Sequence, residues 1–212
     1  MMKRSQVSNA TIGGVILAAG KSQRMAPKNK LLAEVNGVPI IRQITCVMLE
    51  GGLSDLVVVT GHEHKQVAAA LADLPVTCLY NENYPSGQAT SVACGVHYHS
   101  ARLHMAVLIA LGDMPRVTSD LIANLMRGHV SLTDAPNRIT VPVHDGRYGN
   151  PVIWGRGFFE SLTALTGDAG GRTVFTENKN AVNSLKWPDD SIHFDVDTPY
   201  ALSQLRKKQQ VS

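Results

Sequence analysis

The chain has 212 residues and a formal net charge of +3, with 44% hydrophobic, 17% charged and only 5% aromatic residues. That is one domain's length with material for a large core; the small positive charge suits an anionic small molecule rather than a long polyanion, and the shortage of aromatics argues against a stacking platform for nucleic acid. Three cysteines without a Cys-x-x-Cys, no apolar run of bilayer length and a polar stretch at 1–12 predict a cytoplasmic protein with buried, reduced thiols, no membrane partner, and a mobile tail ahead of a single domain at 13–212.

Taken in chain order, apolar strands alternate with helical patterns. Val15–Ala18 reads as a buried strand, Pro39–Gly51 as a helix stopped by Gly51-Gly52, and Leu56–Thr60 as a second buried strand. Glu63–Ala72 reads as a helix, Val76–Tyr80 as a short strand, and Thr90–Tyr98 as a helix entered from Gly87. Met105–Leu111 is the strongest strand pattern, followed by a helix over Thr118–Arg127 with Thr118 or Ser119 as its cap. Further on, Arg138–Val143 and Pro151–Trp154 read as strands joined by a loop at His144–Asn150. Phe158–Leu165 and Gly171–Glu177 read as short helices and Ala181–Leu185 as a late strand. Thr198–Lys208 reads as a closing helix capped by Asp197 or Thr198. This alternation predicts an α/β fold with a mostly parallel central sheet covered on both faces, three layers in all.

The first strand runs into Ala19-Gly20-Lys21-Ser22-Gln23-Arg24, and Lys28 and Lys30 follow closely. Small residues let backbone amides approach a phosphate, and the cations neutralise it, at the strand end where open α/β sheets bind ligands. Asp113 follows the strongest strand, in Leu111-Gly112-Asp113-Met114-Pro115. A carboxylate there can hold Mg²⁺, a hard cation that takes one or two carboxylates together with phosphate oxygens. His62-x-His64 and His97-x-His99 have no zinc spacing, and His97 and His99 diverge by about 200° on a helix, so the histidines read as surface or satisfied core groups.

Residues 17–30 resemble the L-A-[AG]-G-x-S-x-R-M-G-x-x-x-K signature of the MobA-like nucleotidyltransferase family, with Ala26 in place of its glycine. Asp195-Val196-Asp197-Thr198-Pro199 resembles that family's second metal element, with Tyr200-Ala201 replacing Glu-Asp. The middle run from Asn81 to Ser91 resembles its nucleotide-contacting segment. The resemblance implies a Rossmann-like nucleotidyltransferase fold with Arg24, Lys30 and Asp113 as catalytic residues. It also implies Mg²⁺ on Asp113 and Asp197, Asp195 being one step further away. Nucleotide contacts are expected from Leu17, Ala18, Ala19, Gly20, Lys21, Gly87, Ser91 and Gly112, with the helix dipole after Gly87 attracting anions.

Gly149-Asn150-Pro151-Val152 and Gly167-Asp168-Ala169-Gly170-Gly171-Arg172 resemble elements of the molybdenum cofactor cytidylyltransferase branch. They imply acceptor contacts from Asn150, Pro151, Gly167, Asp168 and Arg172, with the nucleotide held by residues 13–130 and the acceptor by 131–200. The implied reaction joins CTP to Mo-molybdopterin, with a molybdenum hydroxylase apoenzyme as a partner for the product. Ala18-Ala19-Gly20 accompanies a pyrimidine nucleotide in this family. Guanylyl or sugar-phosphate transfer and a non-catalytic accessory role stay open; a nicotinamide-dependent oxidoreductase lacks its dinucleotide fingerprint here.

Overall fold

The computed structural model describes residues 11–25, 29–168 and 170–209. Most of the predicted tail, together with Ala26, Pro27, Lys28 and Ala169, lies outside the described residues. The first strand, β1, spans Ile12–Ala18, beginning earlier than the sequence pattern suggests because Gly13 and Gly14 continue the ladder. The other strands are β2 (Glu34–Val35), β3 (Val38–Pro39), β4 (Leu56–Thr60), β5 (Thr77–Tyr80), β6 (Ala106–Leu111), β7 (Ile139–His144), β8 (Arg147–Tyr148), β9 (Val152–Gly155) and β10 (Val182–Lys186). The helices are α1 (Ile40–Glu50), α2 (His64–Ala69), α3 (Gln88–Ser100), α4 (Ser119–Val130), α5 (Phe159–Thr163), α6 (Arg172–Glu177) and α7 (Pro199–Gln209).

The main sheet runs β10-β7-β9-β6-β1-β4-β5, with β8 paired to β7. β6, β1, β4 and β5 are mutually parallel, as their helical crossovers require. β9 departs from the parallel expectation, running antiparallel to both β6 and β7. The segment between β7 and β9 is too short for a crossover, which takes about a dozen residues. It holds the β7–β8 hairpin, turned through Asp145-Gly146 at φ +49° and +72°, where the sequence reading placed only a loop. A second small hairpin, β2–β3, turns through Asn36-Gly37 at φ +53° and +74° and leads directly into α1, so Pro39 ends a strand rather than opening the helix.

Alternation along the strands builds two cores. Ile16, Val58, Leu108 and Ala110 face one side of the sheet, where Ile41, Ile44 and Met48 of α1 and Leu121, Ile122 and Leu125 of α4 cover them. Val15, Val57, Val59 and Val107 face the other, against Val92 and Val96 of α3 and Phe158, Phe159 and Leu162. The three cysteines are free and half-buried rather than fully buried. Among the described residues no helix is long and apolar enough to cross a membrane.

Candidate active site

Because both cores fill the sheet's faces, the open space lies beyond its carboxyl edge. A cavity of about 500 Å³ sits there, between the loop after β1, the end of β6, the start of α3 and the segment before α7. That volume falls within the range of small-molecule sites, about 300–1,000 Å³.

The β1 loop is held by its own side chains. Ser22, at φ +51°, directs its hydroxyl to Asn29 Oδ1 at 3.2 Å and accepts from the Lys30 amide at 3.2 Å. Asn29 Oδ1 also accepts from the Leu31 amide at 3.0 Å, and Leu31 is buried. This strap aims Lys30 inward from a backbone that the core anchors. Sequence reading passed over Ser22 and Asn29 as site residues, although an Asx or Ser turn before a short helix is a readable signal.

Lys30 Nζ pairs with Asp113 Oδ2 and, at 2.6 Å, with Asp197 Oδ1. Arg24 Nη2 pairs with the other oxygen of Asp197 at 2.5 Å. Residues 195–197 reach this point because the Val196 amide donates to the Asp113 carbonyl at 2.9 Å, and the Val196 side chain is buried. Its two neighbours then turn the same way. Asp113, Asp195 and Asp197 each bring a carboxylate oxygen within 4.8 Å of the others. Asp195 therefore stands close enough to share an ion with Asp113 and Asp197.

Burial alone would raise the Asp197 pKa, but hydrogen bonds and charge from Lys30 and Arg24 outweigh it and hold Asp197 below the ordinary carboxylate value. Burial, then the carboxylates of Asp197 and Asp113, push Asp195 up. Burial would depress Lys30, yet Asp113 and Asp197 raise it, so it stays a cation. Asp113 Oδ1 is buried with no hydrogen-bond partner. Three crowded carboxylates with an orphaned oxygen fit a hard divalent cation, whose ligands are oxygens.

Leu17, Ala19, Gly20, Lys21, Gly87, Ser91 and Asp168 also line the cavity. Ser91 Oγ accepts from Asn81 Nδ2 at 3.0 Å, which leaves its own proton free to be donated. Ala18 and Gly112 do not line the cavity: Ala18 is buried, and the Gly112 amide donates to the Leu17 carbonyl at 3.0 Å. Leu111, Tyr84, Pro85 and Gln88 line it without having been singled out in the sequence.

The start of α3 differs from expectation. The Gln88 amide donates to Asp168 Oδ1 at 3.3 Å and the Ala89 amide to the Gly167 carbonyl at 3.0 Å. The helix end that was expected to attract an anionic ligand is thus capped by the chain's own carboxylate. Gly87, at φ +116°, permits this contact, since a Cβ there would lie 2.4 Å from the Gly167 carbonyl oxygen. Gly167 is set back behind Asp168. Arg172 opens α6, exposed and without a side-chain partner among the described residues. Asn150 precedes Pro151 through a cis peptide bond and donates its amide to the Ile192 carbonyl at 3.0 Å. Neither Asn150, Pro151 nor Arg172 lines the cavity itself. At the other end of the chain, Thr198 caps α7 through its hydroxyl, which accepts from the Ala201 amide at 3.1 Å. A backbone donor suffices, so Tyr200-Ala201 leaves the cap intact.

Arg24 and Lys30 of the β1 loop, paired with Asp113 and Asp197, thus line one cavity at the carboxyl edge of the sheet. The chain belongs to the MobA-like NTP transferase domain family, which matches residues 14–182. It is 27% identical over 195 residues to nicotine blue oxidoreductase of Paenarthrobacter nicotinovorans, covering 88% of this chain and 92% of that one. It is 31% identical over 135 residues to the bifunctional protein GlmU of Symbiobacterium thermophilum, covering 63% of this chain but 28% of that protein. Among solved structures, a nucleotidyl transferase from Methanothermobacter thermautotroptrophicus superposes with a TM-score of 0.80 at 20% identity, covering 95% and 99% of the two chains. Rv0371c of Mycobacterium tuberculosis, in complex with manganese, gives 0.72 at 22% identity over 93% and 98%. CMP:2-keto-3-deoxy-manno-octonic acid synthetase, complexed with CTP, gives 0.74 at 14% over 95% and 99%. These likenesses establish the mostly parallel α/β nucleotidyltransferase fold.

Proposed function

We propose that the protein is a molybdenum cofactor cytidylyltransferase that transfers CMP from CTP to the phosphate of Mo-molybdopterin. The observation that carries the transferase part is the meeting of Lys30 and Arg24 with Asp113 and Asp197 in one cavity. The acceptor part rests on the Asn150-Pro151 and Gly167–Arg172 motifs, the second of which reaches the cavity through Asp168.

In this reading an acceptor phosphate oxygen forms a bond to the α-phosphorus, the bond from that phosphorus to the bridging oxygen breaks, and pyrophosphate leaves with the electron pair. No covalent enzyme intermediate is needed. Lys30 and Arg24 set positive charge against the α-phosphate and the departing pyrophosphate, and the Ser22–Asn29 strap fixes where that charge sits. Ser91 donates to the nucleotide, and Ala19 places a methyl beside the base. Arg172 offers a fork for the acceptor phosphate. Asp113, Asp195 and Asp197 would hold Mg²⁺, which supplies charge neutralisation on the phosphates. Residues 13–130 hold the nucleotide and 131–200 the acceptor. The free thiols suit the cytoplasm, and a molybdenum hydroxylase apoenzyme is the fitting recipient of the product.

The test is pyrophosphate release with Mg²⁺, Mo-molybdopterin and CTP, GTP or ATP. Release with CTP, lost in Asp113→Asn, is expected. Release with GTP alone would move the protein to guanylyl transfer, and bound pterin without release would make it an accessory protein. The kinship to an oxidoreductase over 88% of the chain favours a second reading. Transfer of hydride from NADH or NADPH to a quinonoid dye of the nicotine blue type, which is thereby reduced, without pyrophosphate release, would establish it.

A further inference from the structure

A second cluster lies at the opposite edge of the sheet, about 16 Å away along β1 by strand rise. Asp55 precedes β4, His99 ends α3, and His104 precedes β6; each brings a ligand atom within 4.8 Å of the others. His99 is wholly buried and its Nδ1 has no hydrogen-bond partner. The spacing along the chain hid this set, because Asp55 lies in the α1–β4 connection, more than forty residues before the two histidines that flank the α3–β6 connection.

The protons can be placed. His99 Nε2 lies 2.9 Å from the Gly14 carbonyl, which can only accept, so Nε2 carries the hydrogen and Nδ1 a bare lone pair. His104 Nδ1 lies 3.3 Å from the Arg102 carbonyl, leaving the lone pair on Nε2. Those two lone pairs point at one carboxylate oxygen, Asp55 Oδ2, at 3.8 Å and 3.1 Å. Three lone-pair donors thus converge with no proton between them. Arg102 pairs with the same carboxylate, its Nε 3.6 Å from Asp55 Oδ2, and stacks its guanidinium over Tyr98 at 3.5 Å.

We propose that Asp55, His99 and His104 bind a divalent transition-metal ion of the Zn²⁺ type. Ligand atoms about 3.3 Å apart are what a tetrahedral ion with bonds of about 2.0–2.1 Å requires. Each histidine's second nitrogen is tied to a backbone carbonyl, the outer-shell arrangement that orients metal-binding imidazoles. The backbone is also pinned: the Gly14 amide donates to the Asp55 carbonyl at 2.8 Å and Arg156 donates to the His104 carbonyl at 2.9 Å. Gly13 makes the room, since a Cβ on it would lie 2.3 Å from His99 Nδ1 and 2.6 Å from His104 Cδ2. Asp55 is about one-third exposed, which gives the ion a way in and a place for water as fourth ligand. The ion ties the ends of α3, β4 and β6 together and stands apart from nucleotide chemistry.

The experiment titrates the full chain with Zn²⁺ against a chromophoric chelator, with excess Mg²⁺ present to occupy the carboxylates at the other edge. One equivalent is expected to bind and to raise the melting temperature. Asp55→Asn and His104→Gln are expected to weaken binding by at least about tenfold while leaving circular dichroism unchanged. Co²⁺ substitution should give the intense visible bands of a tetrahedral site, absent from Asp55→Asn. No tight equivalent in the wild-type chain, or unchanged binding in both variants, would overturn the assignment. Asp55→Asn keeps the test valid if His104→Gln fails to fold.

Discussion

The Val196 amide donates to the Asp113 carbonyl at 2.9 Å, and this one bond joins the end of β6 to a segment more than eighty residues later. It sets two carboxylates, Asp195 and Asp197, beside a third. The candidate site is therefore a meeting of the β1 loop with a β6–195–197 platform, and its electrostatics are poised by a single lysine between acids.

Lys30→Met is expected to lower turnover by about 10²–10³-fold, the range for removing one preorganised charge-stabilising donor. It also removes the cation that Asp113 and Asp197 share. Mn²⁺ should then bind more tightly than to the wild-type chain, and should raise the variant's melting temperature more. Manganese titration by electron paramagnetic resonance checks the first, and scanning calorimetry the second. Equal Mn²⁺ affinity would show that Lys30 does not compete for those acids.

Arg24 pairs with Asp197 from an exposed position, its side chain 69% accessible. Exposed pairs contribute at most about 1 kcal/mol, so Arg24→Ala should leave the denaturation midpoint nearly unchanged. Turnover should still fall, because in the proposed reaction the guanidinium would face the phosphates. Rapid-quench measurement separates a lost chemical step from weaker CTP binding.

Gly87→Ala places a methyl against the Gly167 carbonyl at a backbone angle that L-residues avoid. The expected loss is about 1–3 kcal/mol of stability. The cap from Asp168 onto α3 should loosen with it, raising the KM for CTP. Urea denaturation and steady-state kinetics on the same preparation check both. An unchanged midpoint would mean that the 167–168 loop moves away freely.

His129 is buried and bonded to Thr140 through Nδ1 at 2.8 Å, with the Ala135 backbone as a second, weaker influence that favours its charged form. Burial pushes its pKa down to about 4 from an ordinary 6.5. Between those values the unfolded chain binds a proton that the folded chain refuses, so stability rises with pH and falls on acidification. The full interval corresponds to about 3 kcal/mol at 1.36 kcal/mol per unit. Relative to His129→Leu, the wild-type chain should lose stability steadily from pH 6.5 to pH 4, and no further below. Parallel pH-dependent denaturation of both proteins would expose a flat difference, which would exclude this linkage.

Much of this architecture was legible in the chain. β1, β4 and β6 are continuous apolar runs because both of their faces are covered, and the loop cations and Asp113 stand immediately after such runs. Periodicity carries that information locally. The hairpins through Asn36-Gly37 and Asp145-Gly146 were also written locally, in turn residues that the strand pattern overshadowed.

What only the tertiary structure decided depends on contacts between distant segments. Asp195 joins the acidic cluster because Val196 is anchored to Asp113. Asp168 caps α3 because Gly87 lets the 167–168 loop approach. His99 is left with a bare nitrogen because Gly14 takes the proton on the other. Sequence alone fixes which groups a strand end can offer, since side-chain periodicity is a local property of the backbone. Which of them meet, and whether each keeps its proton or its partner, is set by packing across the sheet, where burial makes every unpaired polar atom costly.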